Sequence, residues 1–362
     1  MENVRLRDDE GVLILRLGAV GDVIRTLPCL ARLRESLPRV RIGWVVEPSA
    51  VRLLPGPPWL DRTLIFPRNS LGPGQMLRRP AAGTRALRSF ISELRSFDAR
   101  LVLDFQGTAK SAILALTSGA PMRLGFDRTG SREGSFLLST SRIRPSSPRL
   151  NRVRKNLELL APLGLPESGL RFPLAPAPGS PAVKAFLAEL HGRTRIVVHA
   201  GTSTRQAHKR WPAERFARLV SLMAREGFAP ILTWGPGEKP LVVRIQRLSS
   251  DAAILAPPTE LPEIRELIAG CHLFVGNDTG PMHLAWSQGT PVVVLFGSTD
   301  PLINGPMGHG HRVLAPAWSD GPPFPVRGDP RPMHRIEPEQ VLESVLELLP
   351  PRACRGDLVP VP

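Results

Sequence analysis

Three loops, each directly behind an apolar run, carry the residues able to do chemistry. The first is RLGAVGDVIRTLP at 16–28, where VLIL runs into a glycine turn that delivers Asp22 just as a helix begins. It lacks a full GxGxxG, because Arg16 stands where the first glycine belongs, although Glu47 after the next apolar run has the place of a ribose ligand. A carboxylate here repels a diphosphate, so the residues leave Asp22 two roles, helix N-cap or reacting base. The second loop is HAGTSTRQAHKRWP at 199–212. Gly201 allows close backbone approach, Thr202, Ser203 and Thr204 offer hydroxyls, and Lys209 brings an ammonium just before a helix near Pro212. Small donors with a lysine at a strand-to-helix turn suit a phosphate, and a plain solvated loop is the alternative. The third is VGNDTGPMHLAWSQGTPVVVLFGSTDP at 275–301. Asp278 leads into Thr279, Gly280 and a helix with free leading amides, and His283 sits on its first turn. On its own, Asp-Thr-Gly before a helix is an ordinary capped turn.

The elements that must hold these loops alternate regularly. Strands are predicted at 12–17, 41–46, 62–66 and 100–105, with helices at 22–36, 84–96, 108–117 and 151–163. After the Pro-rich RFPLAPAPGSPA the rhythm restarts. Strands are predicted at 195–200, 229–234, 252–256, 272–276 and 291–297, with helices at 212–226, 238–249, 260–270 and 280–288. Short continuous apolar strands between amphipathic helices predict parallel sheets covered on both faces. The expected class is therefore α/β with two doubly wound, Rossmann-like domains facing across a cleft, and ligands at the carboxyl ends of the strands. The boundaries read 1–172 for the first domain, 173–182 for a linker and 183–336 for the second domain. A helix at 337–350 and a frayed tail at 351–362 follow.

Composition narrows the class further. The 362 residues are 42% hydrophobic and 22% charged, which is globular rather than disordered. No run reaches the roughly 18 to 20 apolar residues of a membrane span, and MENVRLRDDEG is too polar for a secretory signal. Cys29, Cys271 and Cys354 show no CxxC spacing, so neither a zinc site nor a disulfide framework is expected. A net charge of +15 implies a polyanionic partner or surface. Aromatics at 5%, with no Tyr, leave few stacking platforms, so a nucleic-acid partner is not expected. The basic residues are overwhelmingly Arg; Lys occurs only at 110, 155, 184, 209 and 239, which singles out a lysine inside a glycine-rich loop.

GAVGDVIRTLP, DFQGTAKSA, the loop ending in HKRWP, GNDTGPMHL and VLFGSTDP occur in an order that resembles the bacterial lipopolysaccharide heptosyltransferases, glycosyltransferase family 9. The likeness spans roughly 11–349, and the first-strand loop with DFQGTAKSA is most similar to heptosyltransferase I. It implies the two-domain GT-B fold, with a cytoplasmic enzyme peripheral on the inner membrane. The implied reaction is transfer of L-glycero-D-manno-heptose from its ADP-sugar to the Kdo of the inner core, inverting and without a metal or other cofactor. On this resemblance Asp22 is the general base and faces the acceptor. Lys209 contacts the donor diphosphate and, with Asp22, makes up the catalytic pair. Thr202, Ser203, Thr204, Glu238, Asp278, Thr279, Gly280 and His283 complete the donor side, with Glu238 in the neighbourhood of the ribose. Gly21 and Lys110 lie on the acceptor side, and in the variable stretch 67–85 Arg78, Arg79 and Arg85 offer phosphate contacts. The implied partners are the ADP-sugar, Kdo–lipid A or a related core acceptor, and the anionic inner membrane. Three alternatives stay open: another family 9 donor or acceptor, a nucleotide-sugar-binding protein without turnover, and an NAD-dependent oxidoreductase, which the missing glycine at 16 disfavours.

Overall fold

Each apolar run of the first half becomes a parallel strand. The computed structural model describes residues 4–72, 79–316 and 331–349. Packing divides the chain into two units, Met1–Pro176 and Ala177–Pro362. In the first, β1 (Gly11–Leu15), β2 (Arg41–Val46), β3 (Arg62–Ile65), β4 (Ala99–Asp104), β5 (Met122–Phe126) and β6 (Ser141–Ile143) pair in the order β3-β2-β1-β4-β5-β6. All the pairings are parallel. Because successive side chains point to opposite faces, β1 feeds two cores at once. Val12 and Ile14 pack with Trp44, Leu27 and Leu30 on one face. Leu13 and Leu15 pack with Phe90, Leu94 and Leu114 on the other. The covering helices are α1 (Val20–Ile24), α2 (Leu27–Ser36), α3 (Pro80–Ser96), α4 (Ala109–Thr117) and α5 (Arg152–Glu158).

The second unit repeats the plan. β7 (Thr194–His199), β8 (Phe228–Thr233), β9 (Ile254–Leu255), β10 (Leu273–Asn277), β11 (Val292–Leu295) and β12 (Arg312–Leu314) run β12-β11-β10-β7-β8-β9, again all parallel. Counted from each unit's first strand, both sheets have the 3-2-1-4-5-6 order of a doubly wound fold. The helices here are α6 (Pro181–Glu189), α7 (Ala213–Arg225), α8 (Lys239–Leu248), α9 (Leu261–Ala269), α10 (Gly280–Ser287) and α11 (Pro338–Leu348), with α11 packed against α7. In this order the direction of winding reverses between β1 and β4, and again between β7 and β10. The loops leaving those strands are the ones the sequence singles out.

Several elements differ from the sequence reading, each for a local reason. The helix predicted at 22–36 is broken at Arg25 and Thr26. Pro28 lacks an amide hydrogen and its ring would strike the carbonyl four residues back, so the chain restarts as α2 with Pro28 in its first turn. The end of the Pro-rich stretch is helical, since α6 begins at Pro181. Strands β5, β6 and β12 were not expected; β6 and β12 are three-residue edge strands, and all three carry arginine, which breaks the apolar run. No helix among the described residues is long and apolar enough to cross a membrane.

Candidate active site

In the first unit the loop after β1 carries Arg16 inward and α1 presents Asp22. The N-cap role falls away: Ala19 holds the cap position, and Asp22 is the third helical residue. Its Oδ1 meets two guanidiniums, Arg16 Nη2 at 3.0 Å and Arg25 Nη2 at 2.6 Å. Both arginines are buried and further tethered, Arg16 Nη1 donating to the Phe105 carbonyl at 2.6 Å and Arg25 Nε to the Gly21 carbonyl at 3.2 Å. Gly21 is thus buried within α1 and serves as an anchor for Arg25. Burial pushes the Arg16 guanidinium down, with Asp22 opposing and Arg25 adding to the shift.

More positive charge surrounds this carboxylate than the motifs disclosed. Arg152, at the start of α5, feels Asp22, Arg25, Arg16 and Arg132, and burial first of all lowers it to about 10. Lys155, one turn on, donates to the Gly130 carbonyl at 2.5 Å and lies 4.3 Å from the Phe126 ring centroid. Burial, then Arg152, Arg16 and Arg132, lower its ammonium to about 8 from an ordinary 10.5. Arg16 and Arg25 therefore touch Asp22, Arg152 acts on it at longer range, and Arg132 and Lys155 stand within electrostatic reach of Arg16 and Arg152. Their sequence positions are scattered over 16–155, so no single motif contains them.

The DFQGTAKSA segment is mainly a scaffold. Buried Asp104 accepts from the amides of Gln106 and Gly107, each at 3.0 Å, and from the Ser111 hydroxyl at 2.9 Å. Gly107 is left-handed at φ +62°, the conformation that favours glycine. Thr108 and Ser111 then close a reciprocal cap on α4. The residue this device exports is Lys110, whose Nζ lies 2.9 Å from Glu47 Oε1 and 4.9 Å from the Phe66 ring centroid. Arg68 takes the other carboxylate oxygen of Glu47. Glu47, read from sequence as a ribose-ligand mimic, is thus buried and held by two cations instead. Arg79 lies just before α3 and Arg85 on it, both exposed and apart from this cluster; Arg78 lies outside the described residues.

In the second unit, the loop after β7 and the strand end of β10 build one network. Lys209 Nζ meets Asp278 Oδ2 at 2.8 Å, the Thr299 hydroxyl donates to the same oxygen at 2.9 Å, and His283 Nε2 lies 3.5 Å from Oδ1. Buried Asn277 ties the loop down, accepting from the Trp211 amide at 3.2 Å and donating to the Ala200 carbonyl at 3.1 Å. Thr279 occupies the N-cap of α10, but its hydroxyl turns back to the Asn277 carbonyl at 3.3 Å rather than capping. Pro281 at the second helical position has no amide hydrogen, so the leading donors reduce to those of Gly280 and Met282. The hydroxyls of Thr202 and Ser298 are buried with no hydrogen-bond partner among the described residues, while Ser203 and Thr204 are exposed. Buried polar groups are almost always paired, which sets these two hydroxyls apart from Thr299 beside them.

Glu238 adjoins this network. Its Oε2 accepts from the Gly235 amide at 2.7 Å and lies 3.8 Å from Nε2 of buried His199, whose Nδ1 is 3.0 Å from the Thr233 hydroxyl. The carboxylate fills the space a side chain at Gly201 would need: a Cβ there would stand 1.9 Å from Oε2. Among the described residues, no three His, Cys, Asp or Glu side chains converge as metal ligands would.

The structure thus joins Lys209, Asp278 and His283, places Thr279 and Gly280 beside them, and sets Asp22 and Gly21 in the other unit. Sequence reasoning missed Arg25, Arg132, Arg152, Lys155, His199, Asn277, Ser298 and Thr299. For Ser298 and Thr299 a signal existed in VLFGSTDP, and for Lys155 in the scarcity of lysine.

Residues 87–323 match the model of glycosyltransferase family 9 (heptosyltransferase). The chain belongs to that family. Lipopolysaccharide heptosyltransferase 1 of Pseudomonas aeruginosa is 31% identical over 309 residues, 82% of this chain and 81% of its own. The Escherichia coli K12 protein of the same name is 27% identical, over 83% of this chain and 92% of its own. A crystal structure of the E. coli heptosyltransferase with ADP superimposes with a TM-score of 0.72 at 22% identity, covering 93% of this chain and 99% of that one. At that identity the likeness speaks to fold alone, and the fold is GT-B. The protein is an enzyme, a glycosyltransferase of the heptosyltransferase type.

Proposed function

We propose that the enzyme moves L-glycero-D-manno-heptose from ADP-heptose to the Kdo of the lipopolysaccharide inner core, in one inverting displacement without a metal. The observation that carries this is the Lys209–Asp278–Thr299 network at a sheet's switch point, beside two buried hydroxyls that have no partner among the described residues. Asp278 holds the Lys209 ammonium in place, and the ammonium with the amides of Gly280 and Met282 can take the charge that develops on a leaving diphosphate. Relatives named as lipopolysaccharide heptosyltransferase 1 support the heptose donor and the core acceptor. Glu238, with Oε2 pinned, has a second oxygen able to accept from ribose hydroxyls.

On the acceptor side, Asp22 with Arg16, Arg25 and Arg152 about it, and Arg132 and Lys155 near those arginines, suits a sugar acid and its phosphates. Asp22 takes the proton from the attacking hydroxyl as that oxygen closes on the anomeric carbon opposite ADP. Asp22 and Lys209 belong to different units, so turnover requires both. A lipid-linked acceptor also implies that this cytoplasmic enzyme works against the anionic inner face of the membrane. The test is transfer from ADP-heptose to Kdo–lipid A by the purified enzyme, read by mass spectrometry, with a chelator present. One added heptose is expected. Transfer only from another sugar nucleotide, only to an already heptosylated core, or only with magnesium restored overturns the corresponding part of the proposal.

A further inference from the structure

The first unit carries an apolar patch that its own fold does not cover. Among the described residues eight large hydrophobic side chains are exposed, and five of them, Ile65, Leu170, Leu248, Leu302 and Val313, sit singly on separate elements. The other three share two adjoining elements. Ile113 (55% exposed) and Leu116 (51%) lie three residues apart on α4, hence on one face of that helix. Leu137 (66%) tops the 3-10 turn Ser135–Leu138, which packs directly against α4. Isolated exposed aliphatics are ordinary, but a group of three on neighbouring elements marks a contact surface.

What surrounds the patch identifies the partner. Arg95 donates through Nε to the Thr117 carbonyl at 3.0 Å, beside Leu116. Arg123 spans from the Ala120 carbonyl at 2.8 Å to the Leu138 carbonyl at 2.9 Å, beside Leu137. Arg142 donates to the Phe136 carbonyl at 2.8 Å and stacks 5.6 Å from that ring's centroid. Among the described residues these three arginines have carbonyl partners and no carboxylate within ion-pair distance, so no acid offsets their charge. The nearby acids are engaged elsewhere: Glu133 accepts the Ala109 amide at the opposite end of α4, and Glu93 pairs with Arg62.

Aliphatic side chains rimmed by uncompensated guanidiniums match a surface that is apolar beneath and anionic on top. We infer that the α4 face and the Ser135–Leu138 turn dock the enzyme on an anionic phospholipid bilayer, with Ile113, Leu116 and Leu137 entering the headgroup boundary and Arg95, Arg123 and Arg142 meeting lipid phosphates. This rests on the reading of the acceptor as lipid-linked. It moves the membrane contact away from Arg79, which precedes α3, and Arg85, which lies ten residues before Arg95 on that helix.

The test is co-sedimentation of the full chain with vesicles of phosphatidylethanolamine and phosphatidylglycerol, and separately with pure phosphatidylcholine. Wild type should partition onto the anionic vesicles. Ile113→Glu with Leu137→Glu should lower that partitioning at least ~30-fold, since burying such side chains supplies much of the binding. Arg95→Glu with Arg142→Glu should lower it by about 25-fold or more, five-fold for each arginine lost. Both variants should melt cooperatively well above the assay temperature and keep wild-type transfer to an O-deacylated, water-soluble acceptor, whereas Arg79→Glu with Arg85→Glu should partition as wild type does. Undiminished vesicle binding by both folded patch variants overturns the docking face, as does a wild-type dimer in solution that they render monomeric without change in vesicle binding. Failure of wild type itself to bind vesicles, with transfer to the soluble acceptor intact, overturns the membrane contact and leaves the heptosyltransferase reading standing.

Discussion

Asp22 and Lys209 carry opposite charges, each held by an opposite partner, and the consequences of removing them differ. Asp22→Asn keeps the shape of the side chain, and because Ala19 holds the cap of α1, no helix cap is lost. Turnover should fall at least ~100-fold, the low end for loss of a general base, with ADP affinity unchanged by calorimetry. Near-normal turnover would reassign the carboxylate to anchoring Arg16 and Arg25. Lys155 supplies a pH signature. Its folded pKa of about 8 lies below the ordinary 10.5, so it holds its proton below about pH 8 and loses it above, within the working range of an assay. An anionic acceptor favours the protonated form. Acceptor KM should therefore rise as pH climbs from about 7.5 to 9, and Lys155→Met should raise KM at pH 7 while flattening that slope. A rise in KM of equal size in the Met variant would exclude Lys155 as its source.

At the scale of elements, turns do more of the positioning than helices or strands. Gly201 shows why a glycine at the end of β7 matters: Glu238 lies in the volume its side chain would occupy. Gly201→Ala should push the Glu238 carboxylate off the Gly235 amide and weaken ADP binding by about tenfold, the worth of a charge-assisted hydrogen bond. Binding of 2′,3′-dideoxy-ADP should hardly change; an equal loss for both nucleotides would point to general damage of the loop. This scale also shows what was legible in the sequence. The VLIL, RIGWVV, RIVVHA and PVVVLFG runs announce central strands because burial on both faces demands unbroken apolar residues. MRLGF and SRI do not, because β5 carries a half-buried arginine and β6 is an edge. In the same way GNDTGPMHL and HKRWP reveal Lys209 and Asp278, since those ligands sit close in sequence to their glycines. The cationic cluster of the first unit was not readable, because Arg132, Arg152 and Lys155 come near Arg16 only through tertiary packing.

For the whole molecule, the proposed division of labour makes ADP a ligand of one unit. The second unit holds the Lys209 ammonium, the leading amides of α10 and two buried hydroxyls with no partner among the described residues, whereas Arg16 and Arg25 of the first unit are already bound to Asp22 and to backbone carbonyls. Hydrogen exchange on the full chain with saturating ADP should slow at 200–211 and 277–283 and leave 16–26 unaltered. Protection confined to 16–26 would overturn the donor assignment and revive a dehydrogenase-like use of the first loop. The strand order has a consequence beyond mechanism. Since both units spell the same 3-2-1-4-5-6 topology, the loop after β1 and the loop after β7 are counterparts, one ending in an acid and the other in a base. A chain that writes one plan twice can let one copy vary while the other is held. On the proposed division of labour the choice of glycan lies with the first copy and the choice of activated sugar with the second, so chimaeras exchanged at 176/177 should inherit each choice separately.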